Sequence, residues 1–418
     1  MSKKNWLIEV LYARGEYEEA LEIIEDTKSE YGLYVKGLIK RENGQIQESL
    51  SLFRKAYEMN RTNTKNLKEI GYSQYLLGQD ELALSTCKKA IEFEQEESSR
   101  KKDWQLWYNC GLCYEKMSNY DQAIEAYKKA NEINRNEKTF IRLAKVYQKK
   151  NLEKNALRAY QDALDCFPDN ANLLTMVGLA YLKLGETQKS FDFLTKAIAS
   201  EPKHLDAILA LGSILQNNGD TDLALQKYRI SAVLNPHCPR LWNNIAMALF
   251  QKGKFISAIA CLQKAHAAQP LGLWQIPFNL GIIHLHNQQY VSAFHYFSAT
   301  TRLQTNYAPA FHYLALALAH LQDAESTRAA FHSAISIFSP NLDDELSSTH
   351  KINPLLLMTR LNYIIFLYNE EGDFNHQAHS EFSQHIKPFL DDKSLDADFI
   401  ERARSLEQIL LPFSSSDR

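Results

Sequence analysis

The stretch LWNNIAMALFQKGKFISAIACLQKAHAAQP, residues 241–270, reads as two short helices joined at a glycine and stopped by a proline. Leu241, Trp242, Ile245, Ala246 and Leu249 recur at the spacing of one helical face, and Ala258, Ile259, Leu262 and Ala265 do the same beyond Gly253. A hairpin of this size cannot bury both of its faces and leaves no room for an active site. It needs neighbours, and the rest of the chain supplies them.

Prolines stand at 168, 202, 236 and 270, each 34 residues from the last. Small residues keep the same beat at Gly37, Gly71, Gly111, Ala144, Gly178, Gly212, Ala246, Gly281 and Ala315. A second small residue follows each after 12 positions: Ser49, Ala83, Ala123, Ala156, Ser190, Ala224, Ala258, Ala293 and Thr327. Seven positions further comes a third: Ala56, Ala90, Ala130, Ala163, Ala197, Ser231, Ala265, Thr300 and Ala334. Antiparallel helices approach closely only where one side chain is short enough to admit a ridge from the other. Glycine within a helix costs about 0.5–1 kcal/mol relative to alanine, so its recurrence there implies a packing need. The repeat-packing set is therefore expected to include Gly178, Gly212, Ala224, Ala246, Ala258, Gly281 and Ala293, with Tyr127, Tyr228, Phe297 and Phe331 among the large partners on second helices. Gly44, Gly78, Gly185, Gly219 and Gly253 mark the turn inside each hairpin. Small positions, aromatics and stops in one register form the tetratricopeptide (TPR) pattern.

This register predicts an all-α fold, a TPR superhelix or α-solenoid of about eleven helical hairpins, with degenerate units at both ends. Residues 1–29 read as an atypical N-terminal repeat, 30–338 as the regular solenoid, 339–354 as an inserted polar loop, and 355–418 as a degenerate repeat with capping helices. The segment EQEESSRKKD at 94–103 reads as a second solvated insertion.

Composition narrows the function. The 418 residues carry 47 Lys+Arg against 50 Asp+Glu, a formal charge of −3, so no global basic field draws nucleic acid or an anionic bilayer. Glu9 and Arg14 interrupt the first apolar run, which argues against a secretory signal, and no window has the length of a membrane span. Six scattered cysteines fit reduced thiols in a cytosolic protein. Cys110 and Cys113 flank Gly111 inside a repeat without a second pair at zinc-ribbon spacing, so packing is favoured over metal. His284 and His286 lie two apart on a helix, hence on different faces. No phosphate-binding loop, nucleophile elbow or zinc-protease motif is present. No catalytic residue, metal or cofactor is expected.

The binding candidates are asparagines. Asn109, Asn244 and Asn279 sit two residues before the small position of three first helices. At 100° per residue Asn244 points roughly 150° from the packed face, toward the groove a stack of hairpins would form. An amide offers both donor and acceptor and could clamp the backbone of an extended peptide; asparagine also recurs at this place in TPR units for packing reasons.

Particular residues go further than the register. KNWLI (4–8), GQIQESLSLF (44–53), NLKEIGYSQYLLGQ (66–79), AILALGSILQNNGDTDLALQKYR (207–229) and NLGIIHLHNQQYVSAFHYFSA (279–299) resemble the Bardet–Biedl syndrome 4 family, in order and nearly in register, to about residue 378. The resemblance implies a non-catalytic subunit of the BBSome, a coat-like complex that moves membrane proteins into and out of cilia. It implies as partners a second TPR subunit, a small extended subunit and β-propeller subunits, with pericentriolar material and dynein–dynactin beyond them. It implies a cytoplasmic location at the cilium, the ciliary base or centrosome, and centriolar satellites, without membrane insertion or nucleic-acid binding. Vertebrate members carry a long polar tail where six residues follow Pro412, so a function of that tail is not expected of this sequence. Two other readings stay open: a co-chaperone-type TPR receptor for C-terminal carboxylates, and the substrate-selecting arm of an enzyme supplied in trans.

Overall fold

A computed structural model describes residues 3–27, 29–96, 102–269, 272–338, 353–371, 376–390 and 395–410. All regular structure among them is helical, arranged as successive hairpins. Two compact units divide at 211/212. The first contains α1 (Lys3–Arg14) with α2 (Tyr17–Thr27), α3 (Glu30–Glu42) with α4 (Ile46–Met59), and α5 (Thr64–Leu76) with α6 (Asp80–Glu96). It continues through α7 (Trp104–Lys116) and α8 (Tyr120–Ile133), α9 (Glu137–Lys149) and α10 (Glu153–Cys166), and α11 (Ala171–Lys183) and α12 (Thr187–Ser200). The boundary falls within α13 (Leu205–Asn217), which precedes α14 (Thr221–Leu234).

The second unit continues with α15 (Pro239–Gln251) and α16 (Phe255–Ala268), α17 (Gln275–His286) and α18 (Tyr290–Leu303), and α19 (Ala308–His320) and α20 (Ala324–Phe338). It closes with α21 (Pro354–Glu371), α22 (His376–His385), a short turn of 3₁₀ helix at Lys387–Phe389, and α23 (Ala397–Leu410). Residues 97–101 of the first expected insertion and 339–352 of the second lie outside the described residues, as does Pro270.

Short polar residues start the first helices. The side chains of Ser29, Asn63, Asp103, Asn136 and Asn170 each accept from a backbone N–H in the first turn. Between α15 and α16, Gly253 N–H donates to Phe250 O at 2.8 Å and Lys254 N–H to Leu249 O at 2.9 Å. That pair of bonds closes α15 and requires a left-handed residue at the turn, which Gly253 supplies at φ 71°. Ser118, Asn151, Gln288 and Gln322 hold the same left-handed conformation in other hairpins without being glycine.

The register of small residues becomes contact geometry. A Cβ on Gly111 would stand 2.5 Å from the Tyr127 ring, on Gly212 2.3 Å from Tyr228, and on Gly281 2.6 Å from Phe297. On Gly178 it would meet Leu194 at 2.8 Å. Each partner lies 16 residues on, across the hairpin. Ala224, Ala246, Ala258 and Ala293 are fully buried. Substantial helix–helix contacts join elements adjacent in sequence or one apart. In the second unit the last helices close over one core, in which Phe331, Leu361, Ile364, Phe382, Phe399 and Ala403 pack together.

Candidate partner-binding surface

The first helices carry the polar residues that link one hairpin to the next. In the second unit Tyr228 Oη donates to Gln216 Oε1 at 2.9 Å, and Gln216 Nε2 donates to Gln251 Oε1 at 3.4 Å. Burial pushes the Tyr228 phenol up to about 12, and a hydrogen bond from the Asn244 side chain works against that rise. Asn243 Nδ2 donates to Asn244 Oδ1 at 3.4 Å, and Asn279 Nδ2 to Asn243 Oδ1 at 2.8 Å. Side chains of α13, α14, α15 and α17 thus form one network of amides and a phenol.

The first unit uses the same positions with charge. Glu115, four residues after Gly111 as Gln216 is after Gly212, accepts from Tyr127 Oη at 3.1 Å and Lys149 Nζ at 2.9 Å. Arg142 Nη1 stands 3.7 Å from Glu115 Oε2, the oxygen that faces the tyrosine. Burial, then the Glu115 charge, drives the Tyr127 phenol far above its ordinary range. Arg41 and Glu69 pair at 2.7 Å between α3 and α5.

The sequence candidates separate here. Asn109 is 6 % exposed and has little surface to offer a partner. Asn244 and Asn279 are half-buried. The angular count that turns Asn244 off the packed face considers its own helix alone; the preceding hairpin brings the Tyr228 hydroxyl to that amide. Asn279 meets Asn243 rather than Asn244, so the pairing steps sideways by one residue. Asn243, Gln216, Gln251 and Glu115 escape the asparagine reading. Their signal is the fixed offset of Glu115 and Gln216 from a repeat glycine and from a tyrosine 12 residues on.

Cys87, Cys110 and Cys113 are all buried. A hydrogen bond with Cys110, then burial, raises the Cys87 thiol, and burial pushes Cys113 up to about 12, so both stay protonated at neutral pH. Among the described residues no group of three or more His, Cys, Asp or Glu is placed to hold a metal, and no helix is long and apolar enough to cross a membrane.

Tetratricopeptide-repeat family models match residues 31–63, 104–137, 141–204 and 209–272. A TPR protein from Parabacteroides merdae superposes with a TM-score of 0.51 at 20 % identity, covering 61 % of this chain and 98 % of that one. A human IFIT1 dimer structure gives 0.56 at 16 % identity, covering 83 % and 80 %; both likenesses concern the fold alone. The cattle BBSome complex member BBS4 is 37 % identical over 376 residues, 88 % of this chain and 68 % of the relative. The mouse protein of that name is 36 % identical over 97 % of this chain and 76 % of its own length, and the Caenorhabditis elegans one 30 % identical over 87 % and 77 %. An all-α array of TPR hairpins, similar along nearly its whole length to these proteins, belongs to the BBS4 family of BBSome complex members.

Proposed function

We propose that the chain is a non-catalytic scaffold subunit of the BBSome in ciliary trafficking, holding other subunits on its helical faces. The observation that carries this reading is the extent of the similarity to BBSome members, which runs over 87 % of the chain or more from mammals to worm. The partners are a second TPR subunit, a small extended subunit and β-propeller subunits, with pericentriolar material and dynein–dynactin further out. The location is the cytoplasm at the ciliary base, the centrosome and its satellites. The half-buried amides of Asn243, Asn244 and Asn279 support contact with an extended backbone, whose N–H and C=O groups they can match regardless of its sequence.

The test is purification of the tagged full chain from ciliated cells with quantitative mass spectrometry. The expected result is the other BBSome subunits in amounts comparable to the bait. A chaperone bound by its C-terminal carboxylate, or a glycosyltransferase, in their place would overturn the reading.

A further inference from the structure

One second helix carries large apolar side chains at two outward positions where the others carry polar residues or alanine. Six residues after the second small position, the other regular repeats carry Lys55, Lys89, Lys129, Asp162, Lys196 and Lys264, then Ala299 and Ser333 in the last two. In α14 that place is Ile230. Three residues further the other helices have Glu58, Glu92, Glu132, Asp165, Arg302 and Ser336, with alanine at 199 and 267, whereas α14 has Val233. Ile230 is 59 % exposed and Val233 82 %. Leu223 and Leu234, also exposed, extend the apolar stripe along the same helix for about 17 Å at 1.5 Å per residue.

Beside the stripe lies a notch of about 390 Å³, lined by Asp222, Arg229 and Ile230 of α14 and by Lys252 and Lys254 from the α15–α16 turn. Three cations face one carboxylate there. Lys252 pairs with Asp222, and all three cations help hold the Asp222 carboxyl below the usual carboxylate range. Arg229 and Lys254 have no carboxylate within 4 Å among the described residues. Two residues beyond Lys254, Ile256 is 87 % exposed at the first turn of α16.

We infer that the outer face of α14, with the start of α16, docks an amphipathic helix of a partner protein, apolar along one side and acidic along its edge. Leucine-like side chains of that helix cover Leu223, Ile230, Val233 and Leu234, and its carboxylates reach Arg229, Lys254 and Lys252. The local cationic excess selects an acidic partner, and a second copy docked through the same face would set Arg229, Lys252 and Lys254 against like charges. The stripe is one helix wide, which suits a helix rather than a bilayer. The inference deepens the scaffold reading by naming one of its surfaces, and rests on that reading for the existence of a protein partner.

The experiment titrates the full chain with a synthetic 18-residue amphipathic helix bearing leucine along one face and glutamate at its edges. A scrambled peptide, phosphatidylserine-containing vesicles and the chain alone in sedimentation are run in parallel. The decisive variant is Ile230→Lys with Val233→Glu, which gives α14 the residues of its sister helices and so leaves folding intact, as thermal melting verifies. Expected are binding of the designed helix only, at least a tenfold loss in that variant, and a fivefold or larger loss in Lys252→Glu with Lys254→Glu. Equal binding of the scrambled peptide, binding to vesicles alone, self-association through this face, or unchanged affinity in the first variant would each overturn the inference. Co-purification of BBSome subunits with the wild-type chain is scored separately, so the scaffold reading fails only if that is lost.

Discussion

Gly212 and Tyr228 stand so close across their hairpin that a Cβ on the glycine would lie 2.3 Å from the tyrosine ring. The ring is fully buried, and its hydroxyl is held by Gln216 at 2.9 Å, so it cannot swing aside. Gly212→Ala is therefore expected to cost about 1–3 kcal/mol by overpacking. Tyr228→Leu in the same chain should recover part of that loss, giving a positive coupling in a double-mutant cycle read by thermal melting. Additive losses would show that the contact is slack.

The left-handed turns predict a gain. Gln288 sits at φ 58° and Gln322 at φ 60°, where L side chains are strained by roughly 1–2 kcal/mol. Gln288→Gly should relieve that strain and, after the entropy glycine adds to the unfolded chain, stabilise by about 0.5–1 kcal/mol. Asn151→Gly should gain less, because asparagine tolerates this region. Urea midpoints of the two variants check the order.

His312 makes stability depend on pH. It is 2 % exposed, its Nδ1 has no hydrogen-bond partner, and burial lowers its pKa to about 4. The unfolded chain binds the proton more readily, so stability is level above pH 6.5 and is lost as pH falls from there toward 4. The loss should total about 2–4 kcal/mol, since each tenfold difference in proton affinity between the folded and unfolded chain is worth about 1.4 kcal/mol. His312→Leu should flatten the melting temperature between pH 7.5 and pH 5, and a slope equal to wild type would exclude this residue as its source.

Asn243 joins two partners, so its removal tests the amide network. Asn243→Ala is expected to lower stability by about 0.5–1.5 kcal/mol, the net value of a hydrogen bond. On the proposed scaffold role, Asn244→Ala with Asn279→Ala should weaken binding of the small extended BBSome subunit by roughly 5- to 160-fold, two such bonds expressed as affinity. Calorimetric titration with melting curves alongside separates the two effects. Unchanged affinity would remove these asparagines from the contact.

The hairpin array was legible because its rule is local and repeated. Gly212 announces Tyr228 through a spacing of 16 that recurs at Gly111 and Gly281, so one unit teaches the next. The amide network was not legible in that way. Whether Asn244 faces solvent or Tyr228 depends on how the preceding hairpin seats, and a helical wheel contains no neighbouring helix. His312 was hidden for the same reason, since its packing against Phe331 and Tyr313 depends on tertiary seating as well as local spacing. Ile230 stands in plain sight in the sequence, but the repeat announces itself at its small positions and says little of the outward ones.

That helices touch chiefly those adjacent or one apart bears on how such a chain is made. No early segment waits for a distant one before it can bury its apolar face. As each new hairpin leaves the ribosome it closes over the one before, and synthesis at roughly 5–20 residues per second allows seconds for a step that local contacts complete far faster. The aggregation-prone surface at any moment is then one hairpin wide, however long the array becomes.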